Sequence, residues 1–118
     1  MKNLSLSILD GNLVQDPEMR AVGDNQKVTQ FVIAVNHGQK GDLVSFFPVE
    51  VWGRNAENCK KYLRKGSRVT LIGSLRQDRW TDDKGQVHSR IKIIASQIRF
   101  DSKGKKSMKK QEVKETAA

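Results

Sequence analysis

Apolar residues recur at every second position over most of this 118-residue chain, and at helical spacing in only one short stretch. Alternation of period two turns one side of an extended chain toward a core and the other toward solvent, so the pattern commits the chain to half-buried strands. Residues 4–14 open with Leu4, Leu6 and Ile8 alternating with Ser5 and Ser7, and Gly11 then interrupts the pattern as a bulge or sharp bend would. Asp16-Pro17-Glu18 reads as a turn or strand exit, and Gly23-Asp24-Asn25 as a second turn. Residues 28–36 form the next strand, with Phe31, Ile33 and Val35 on one face. A polar loop over 37–42 leads into a third strand at 43–52. Residues 67–80 and 87–100 make a long pair, joined through Thr81-Asp82-Asp83-Lys84-Gly85-Gln86, whose composition is that of a hairpin connection.

The helical segment is 55–65. Asn55 suits the N-cap, Glu57 the positive end of the helix dipole and Gly66 the C-terminal cap, while Ala56, Cys59 and Leu63 share one face with Tyr62 beside them. Three strands, one helix and two strands is the order of an all-β, five-stranded OB-fold barrel with its helix between strands three and four. The chain has length for one core, assigned to residues 1–100. Residues 101–118 lose the apolar pattern and read as a basic, disordered tail.

Strand parity assigns faces. In the third strand Phe47, Val49 and Val51 form the core side, and Phe46, Pro48, Glu50 and Trp52 the outward side. In the fourth, Val69, Leu71 and Leu75 point in, with Gly73 where a wall needs close approach. Arg68, Thr70, Ser74, Arg76, Asp78 and Trp80 point out, with Ile72 a misfit. In the fifth, Val87, Ile91, Ile93 and Ala95 are inward and His88, Arg90 and Lys92 outward. The doublet Ile93-Ile94 breaks the alternation and predicts a bulge, or a second buried face near Ile94, Ile98 and Phe100.

Large aromatics therefore share outward faces with Arg and Lys. Every base offers a π face to an aromatic ring, and cations neutralise phosphates with release of counterions, so the combination fits single-stranded nucleic acid bound without regard to sequence. Phe46, Trp52, Trp80, Arg76, Arg79, Arg90 and Lys92 make up the set. Each aromatic alone has a blander reading, as a ring packed under a loop or at a subunit contact. The charge balance agrees: 22 Lys and Arg against 13 Asp and Glu give +9, of which residues 1–100 carry +6. A single cysteine rules out an intrachain disulfide and a cysteine-rich metal site, and His37 and His88 lack a third ligand at fixed spacing. Asp82-Asp83 fits a hairpin tip better than a catalytic carboxylate pair. The chain is expected to be no enzyme, to need no cofactor, to cross no membrane and to work in a reducing cytoplasm. An OB-fold interaction module, using the same face for protein or structured RNA, is the competing reading.

The same residues carry a family likeness. Gly11-Asn12-Leu13-Val14-Gln15-Asp16-Pro17-Glu18-Met19-Arg20, Phe31-Val32-Ile33-Ala34-Val35-Asn36, Val51-Trp52-Gly53-Arg54-Asn55-Ala56-Glu57, Tyr62-Leu63-Arg64-Lys65-Gly66-Ser67 and Gly73-Ser74-Leu75-Arg76-Gln77-Asp78-Arg79-Trp80 occur in order, followed by the hairpin residues. In this the chain resembles the bacterial single-stranded DNA-binding proteins of the homotetrameric OB-fold type. The resemblance implies base stacking on Phe46, Trp52 and Trp80 and phosphate contacts at Arg20, Arg54, Arg64, Lys65, Arg76 and Arg79. It also implies a homotetramer with strand one in a dimer contact, and service in replication, recombination and repair. Three departures stand out. Gln39 occupies the place of a further stacking Trp that many members carry, in a shortened loop. Phe47-Pro48 replaces polar or basic residues. The tail is basic and ends Glu115-Thr116-Ala117-Ala118, so recruitment of replication and repair proteins through an acidic tip is not expected.

Overall fold

The computed structural model describes residues 2–38 and 43–101. Within them the elements run β1 (Ser7–Leu13), β2 (Glu18–Val22), β3 (Gln26–Asn36), β4 (Val44–Trp52), α1 (Arg54–Tyr62), β5 (Arg68–Thr81) and β6 (Val87–Phe100). Five of these strands are the five that the alternation predicts. The addition is β2, a polar strand between the two turn signals, which pairs antiparallel with β3 from Glu18↔Gln30 to Val22↔Gln26. It lies at the end of the strand order and is almost wholly exposed, so it needs no alternating apolar residues and leaves none to read. Gln39 and residues 102–118 lie outside the described residues.

The strands pair in the order β1-β5-β6-β4-β3-β2, and β1 also pairs with β3. The sheet is thus a ring of five strands, β1-β5-β6-β4-β3 and back to β1, with β2 hung on β3. All pairings are antiparallel except β4 with β6. This ring, with one helix between β4 and β5, is the arrangement of an OB-fold. Leu13, Phe31, Ile33, Val49, Val51, Val69, Leu71 and Ile93 fill its interior, and α1 adds Cys59 with Leu63 just beyond it. Burial pushes the Cys59 thiol up to about 12, so the group stays protonated in its apolar surroundings. The helix is tied down by the Thr29 hydroxyl, which donates to the Ala56 carbonyl at 2.7 Å. It begins at Arg54 behind Gly53 and ends with Leu63 as C-cap, whose N–H bonds the Cys59 carbonyl. The caps expected at Asn55 and Gly66 are therefore displaced: Gly53 takes the first role without a side-chain bond, and Gly66 lies in the turn before β5.

Closure depends on close backbone approach at two glycines. At Gly11, where β1 passes from β5 to β3, an added Cβ would lie 2.5 Å from the Ala34 carbonyl oxygen. At Gly73 the partner strand approaches even more closely, and a Cβ would meet the Ile94 carbonyl and the Ala95 Cα. Here the register shifts: Ile72 pairs with Gln97 and Gly73 with Ala95, leaving Ser96 as the bulged residue. The bulge inverts the parity of β6. It brings Ile98 and Phe100 against the core opposite Leu71 and Val69, which accounts for the broken alternation after Ile93.

Parity overstates burial along the β5–β6 hairpin. Leu75, Val87 and Ile91 have inward parity but are exposed. β6 meets β4 only over Ile93–Ala95, so the β5–β6 hairpin continues beyond the ring, and among the described residues no second sheet lies against its inner side. Among the described residues, no helix is long and apolar enough to cross a membrane.

Replacing Gly73 by Ala puts a methyl group against backbone that cannot yield. The substitution is expected to cost about 1–3 kcal/mol in urea unfolding. A loss near zero would show that the bulge accommodates the side chain.

Candidate nucleic-acid interface

Three strands build the outward face. Phe46, Pro48, Glu50 and Trp52 alternate with core residues along β4. Glu50 is in register with Ile94 of β6, and Ile94 with Ser74 of β5, so the outward side of β4 continues onto even-numbered residues of the hairpin. There Arg76 faces Lys92, Asp78 faces Arg90 and Trp80 faces His88. In the other direction Trp52 is opposite Val28, and Val28 opposite Arg20, which puts Arg20 in the Trp52 row. Pro48 interrupts nothing: it pairs with Val32 of β3, and β6 joins β4 only from Val49 onward.

All three expected aromatics reach the surface. Phe46 is 60 % exposed, Trp80 46 % and Trp52 36 %. Trp80 is backed by His88, whose ring stacks on the indole with centroids 5.5 Å apart and planes 20° from parallel. His88 in turn meets the Asp82 carboxylate at 2.7 Å. Asp82 also accepts the backbone N–H groups of Lys84 and Gln86, so the residue organises the hairpin tip. The hydrogen bond with His88 and those backbone donors hold its carboxyl below the usual value.

Around Trp52 the organiser is Glu50, which is only 4 % exposed. Its carboxylate accepts the Trp52 indole N–H at 3.1 Å, the Gln30 amide at 3.0 Å and the Lys92 ammonium at 2.6 Å. The Lys92 ammonium also bridges to Asp78 at 2.7 Å. Burial alone would raise the Glu50 carboxyl, but the bonds from Lys92, Gln30 and Trp52 outweigh it and hold the group below its ordinary 4.5. Desolvation would likewise lower Lys92, yet its two carboxylate partners raise it. A groove of about 220 Å³ opens here, lined in part by Gln30, Pro48, Glu50, Asp78, Arg90 and Lys92.

The expected cations fall into three groups. Arg20, Arg76 and Arg90 are exposed on or beside the aromatic face, and Arg54 starts α1 two residues after Trp52. Arg79 has the opposite parity and occupies the other side of the hairpin from Trp80. Arg64 and Lys65 sit on the turn after α1, where their backbone N–H groups bond Ser67 and Asp16. Among the described residues, none of these seven enters an ion pair, whereas Lys92, 15 % exposed, is held in two. Among the same residues there is no group of three or more His, Cys, Asp or Glu able to hold a metal ion.

Sequence reasoning placed Glu50 and His88 outward but gave neither a role. The contact of Glu50 with Lys92 spans 42 residues and needs the β4–β6 pairing, which nothing local encodes.

Because the Glu50 carboxyl is depressed in the folded protein, its stabilising contribution is complete above 4.5 and disappears as pH falls through the folded value. Chemical denaturation from pH 6 to pH 3 should show wild type losing more stability than Glu50→Gln. Equal losses would mean that the carboxylate adds no pH-dependent stability.

The sequence model of the single-strand binding protein family matches residues 5–101. A single-stranded DNA-binding protein of Wolinella succinogenes is 38% identical over 104 residues, an overlap of 82% of this chain and 64% of that protein. The protein of the same description from Caldanaerobacter subterraneus subsp. tengcongensis is 37% identical, over 82% of this chain and 67% of its own. That of Treponema pallidum is 32% identical, over 85% and 59%. The aligned part of this chain thus spans between 59% and 67% of the length of these relatives.

Proposed function

The chain belongs to the single-strand binding protein family, and from that premise we propose that it binds single-stranded DNA without sequence preference, as a binding protein and not an enzyme. The observation that carries the reading is the exposure of Phe46, Trp52 and Trp80 on one continuous outward face, beside arginines that enter no ion pair among the described residues. Bases stack on the three rings. Arg20, Arg54, Arg76 and Arg90 take phosphates along this face, and Arg79, Arg64 and Lys65 extend the cationic track around the hairpin and past the helix. Neither stacking nor charge neutralisation distinguishes one base from another. Such a protein coats and protects strands opened during replication, recombination and repair, in the bacterial cytoplasm. A homotetramer is the accompanying proposal. It is supported by Leu4, Leu6 and Ile8, which stand exposed at the start of the chain and along β1 as an apolar row that a second copy would cover.

Oligo-dT is expected to quench tryptophan fluorescence strongly, with affinity falling as salt rises, while duplex of equal length gives little change. Absence of quenching by oligo-dT would overturn the function. Trp52→Ala and Trp80→Ala should each weaken binding by about 1–3 kcal/mol; if neither does, the stacking assignment is wrong. Light scattering should return four times the chain mass, and a monomer would refute the tetramer.

A further inference from the structure

We propose that Glu50 is the positioning residue for Trp52, and that Lys92 acts by holding the Glu50 carboxylate rather than by taking a phosphate. The inference rests on the single-strand binding reading above and assigns these two side chains a part in it.

The geometry separates the two oxygens of Glu50. Oε2 receives donors from both neighbouring strands, Gln30 of β3 and Lys92 of β6, which together fix the carboxylate plane. Oε1 is left for the indole N–H of Trp52, two residues along the same strand and on the same face. The N–H is the only polar group an indole has. With it bound inside the protein, Trp52 offers a ligand its ring surface and nothing that could read a base edge. The ring is also oriented before a base arrives, so less side-chain freedom is lost on binding.

Lys92 differs from its neighbours in the way this role requires. Its ammonium lies between Glu50 and Asp78, at 2.6 and 2.7 Å, and little of the side chain is exposed. The three groups together carry a net charge of −1 in the middle of a basic face. A phosphate approaching Lys92 would meet two carboxylates already bound to it, whereas Arg76 and Arg90 stand exposed with no acidic partner among the described residues. The cations of this face are therefore of two kinds, those open to a phosphate and one committed to an internal network.

The chain has two tryptophans, so a Trp80→Phe background leaves Trp52 as the sole indole reporter. In that background and without DNA, Glu50→Leu and Lys92→Met should raise acrylamide quenching and lower the fluorescence anisotropy of Trp52. Glu50→Gln should restore most of the wild-type signal, since an amide oxygen still accepts the indole N–H. With both tryptophans present, Lys92→Met should weaken oligo-dT binding by about two- to tenfold, the cost of ordering one side chain, and leave the salt dependence unchanged. Arg76→Met should instead reduce the slope of log affinity against log salt by about 0.7, as loss of one phosphate contact does for single strands. A slope reduced by about 0.7 in Lys92→Met, with Trp52 mobility unchanged, would overturn the proposal. If Glu50→Leu fails to fold, Lys92→Met and Glu50→Gln still decide it. Should wild type not bind oligo-dT at all, the function reading falls, while Trp52 mobility in the free variants still shows whether Glu50 fixes the ring.

Discussion

The meeting of β1 with both β5 and β3 is the constraint on which the rest of this molecule depends. An open five-stranded sheet of this length would leave one apolar face uncovered and two edges unpaired. Closing it into a ring lets one set of inward side chains serve as a shared core, with α1 covering it through Cys59 and Leu63. The closure is short on the β1–β3 side, where only Asn12↔Ala34 and Leu13↔Ile33 pair. It is possible because Gly11 and Gly73 allow backbones to approach where any side chain would collide. Everything presented on the outside inherits its position from that ring: β4 and the β5–β6 hairpin form one surface because β4 and β6 run parallel at Val49–Val51 and Ile93–Ala95.

The outward surface then solves an electrostatic problem. A face suited to polyanions gathers positive charge, and positive side chains packed together repel one another. Here one lysine is held internally by Glu50 and Asp78, while Arg20, Arg76 and Arg90 enter no ion pair among the described residues. The carboxylates are spent on orientation. Glu50 binds Trp52 directly, and Asp82 reaches Trp80 through the stacked His88. Both indoles are thus linked to an acidic residue, Trp52 directly and Trp80 through an intervening imidazole.

Much of this was legible in the sequence because it is local. Alternation along 4–14, 28–36, 43–52, 67–80 and 87–100 marks five strands, and parity sets Phe46, Trp52 and Trp80 on the outside with no knowledge of the fold. The Ile93-Ile94 doublet pointed to a bulge, which the structure places at Ser96. What stayed hidden is long-range. β2 could not be seen because an exposed edge strand needs no apolar period. Leu75, Val87 and Ile91 looked like core residues because parity reports the side of a strand, not whether anything lies opposite. Glu50 and Lys92 looked like an exposed acid and a free cation, since the pairing that buries them joins distant segments. The N-cap lies two residues before Asn55 for a simpler reason: Gly53, bonded through its N–H to the Lys27 carbonyl, follows the end of β4 and starts α1 in one step.

One buried atom has a use outside nucleic-acid chemistry. The Cys59 sulfur is the only thiol in the chain, sealed between α1 and the ring and kept protonated to about 12. Only the thiolate reacts readily with alkylating reagents, so the folded state is doubly protected, by access and by ionisation. Modification must wait for the helix to lift from the ring, and each event leaves a permanent mass tag. The cysteine is therefore a built-in clock for local opening at α1, one that keeps time with no introduced label.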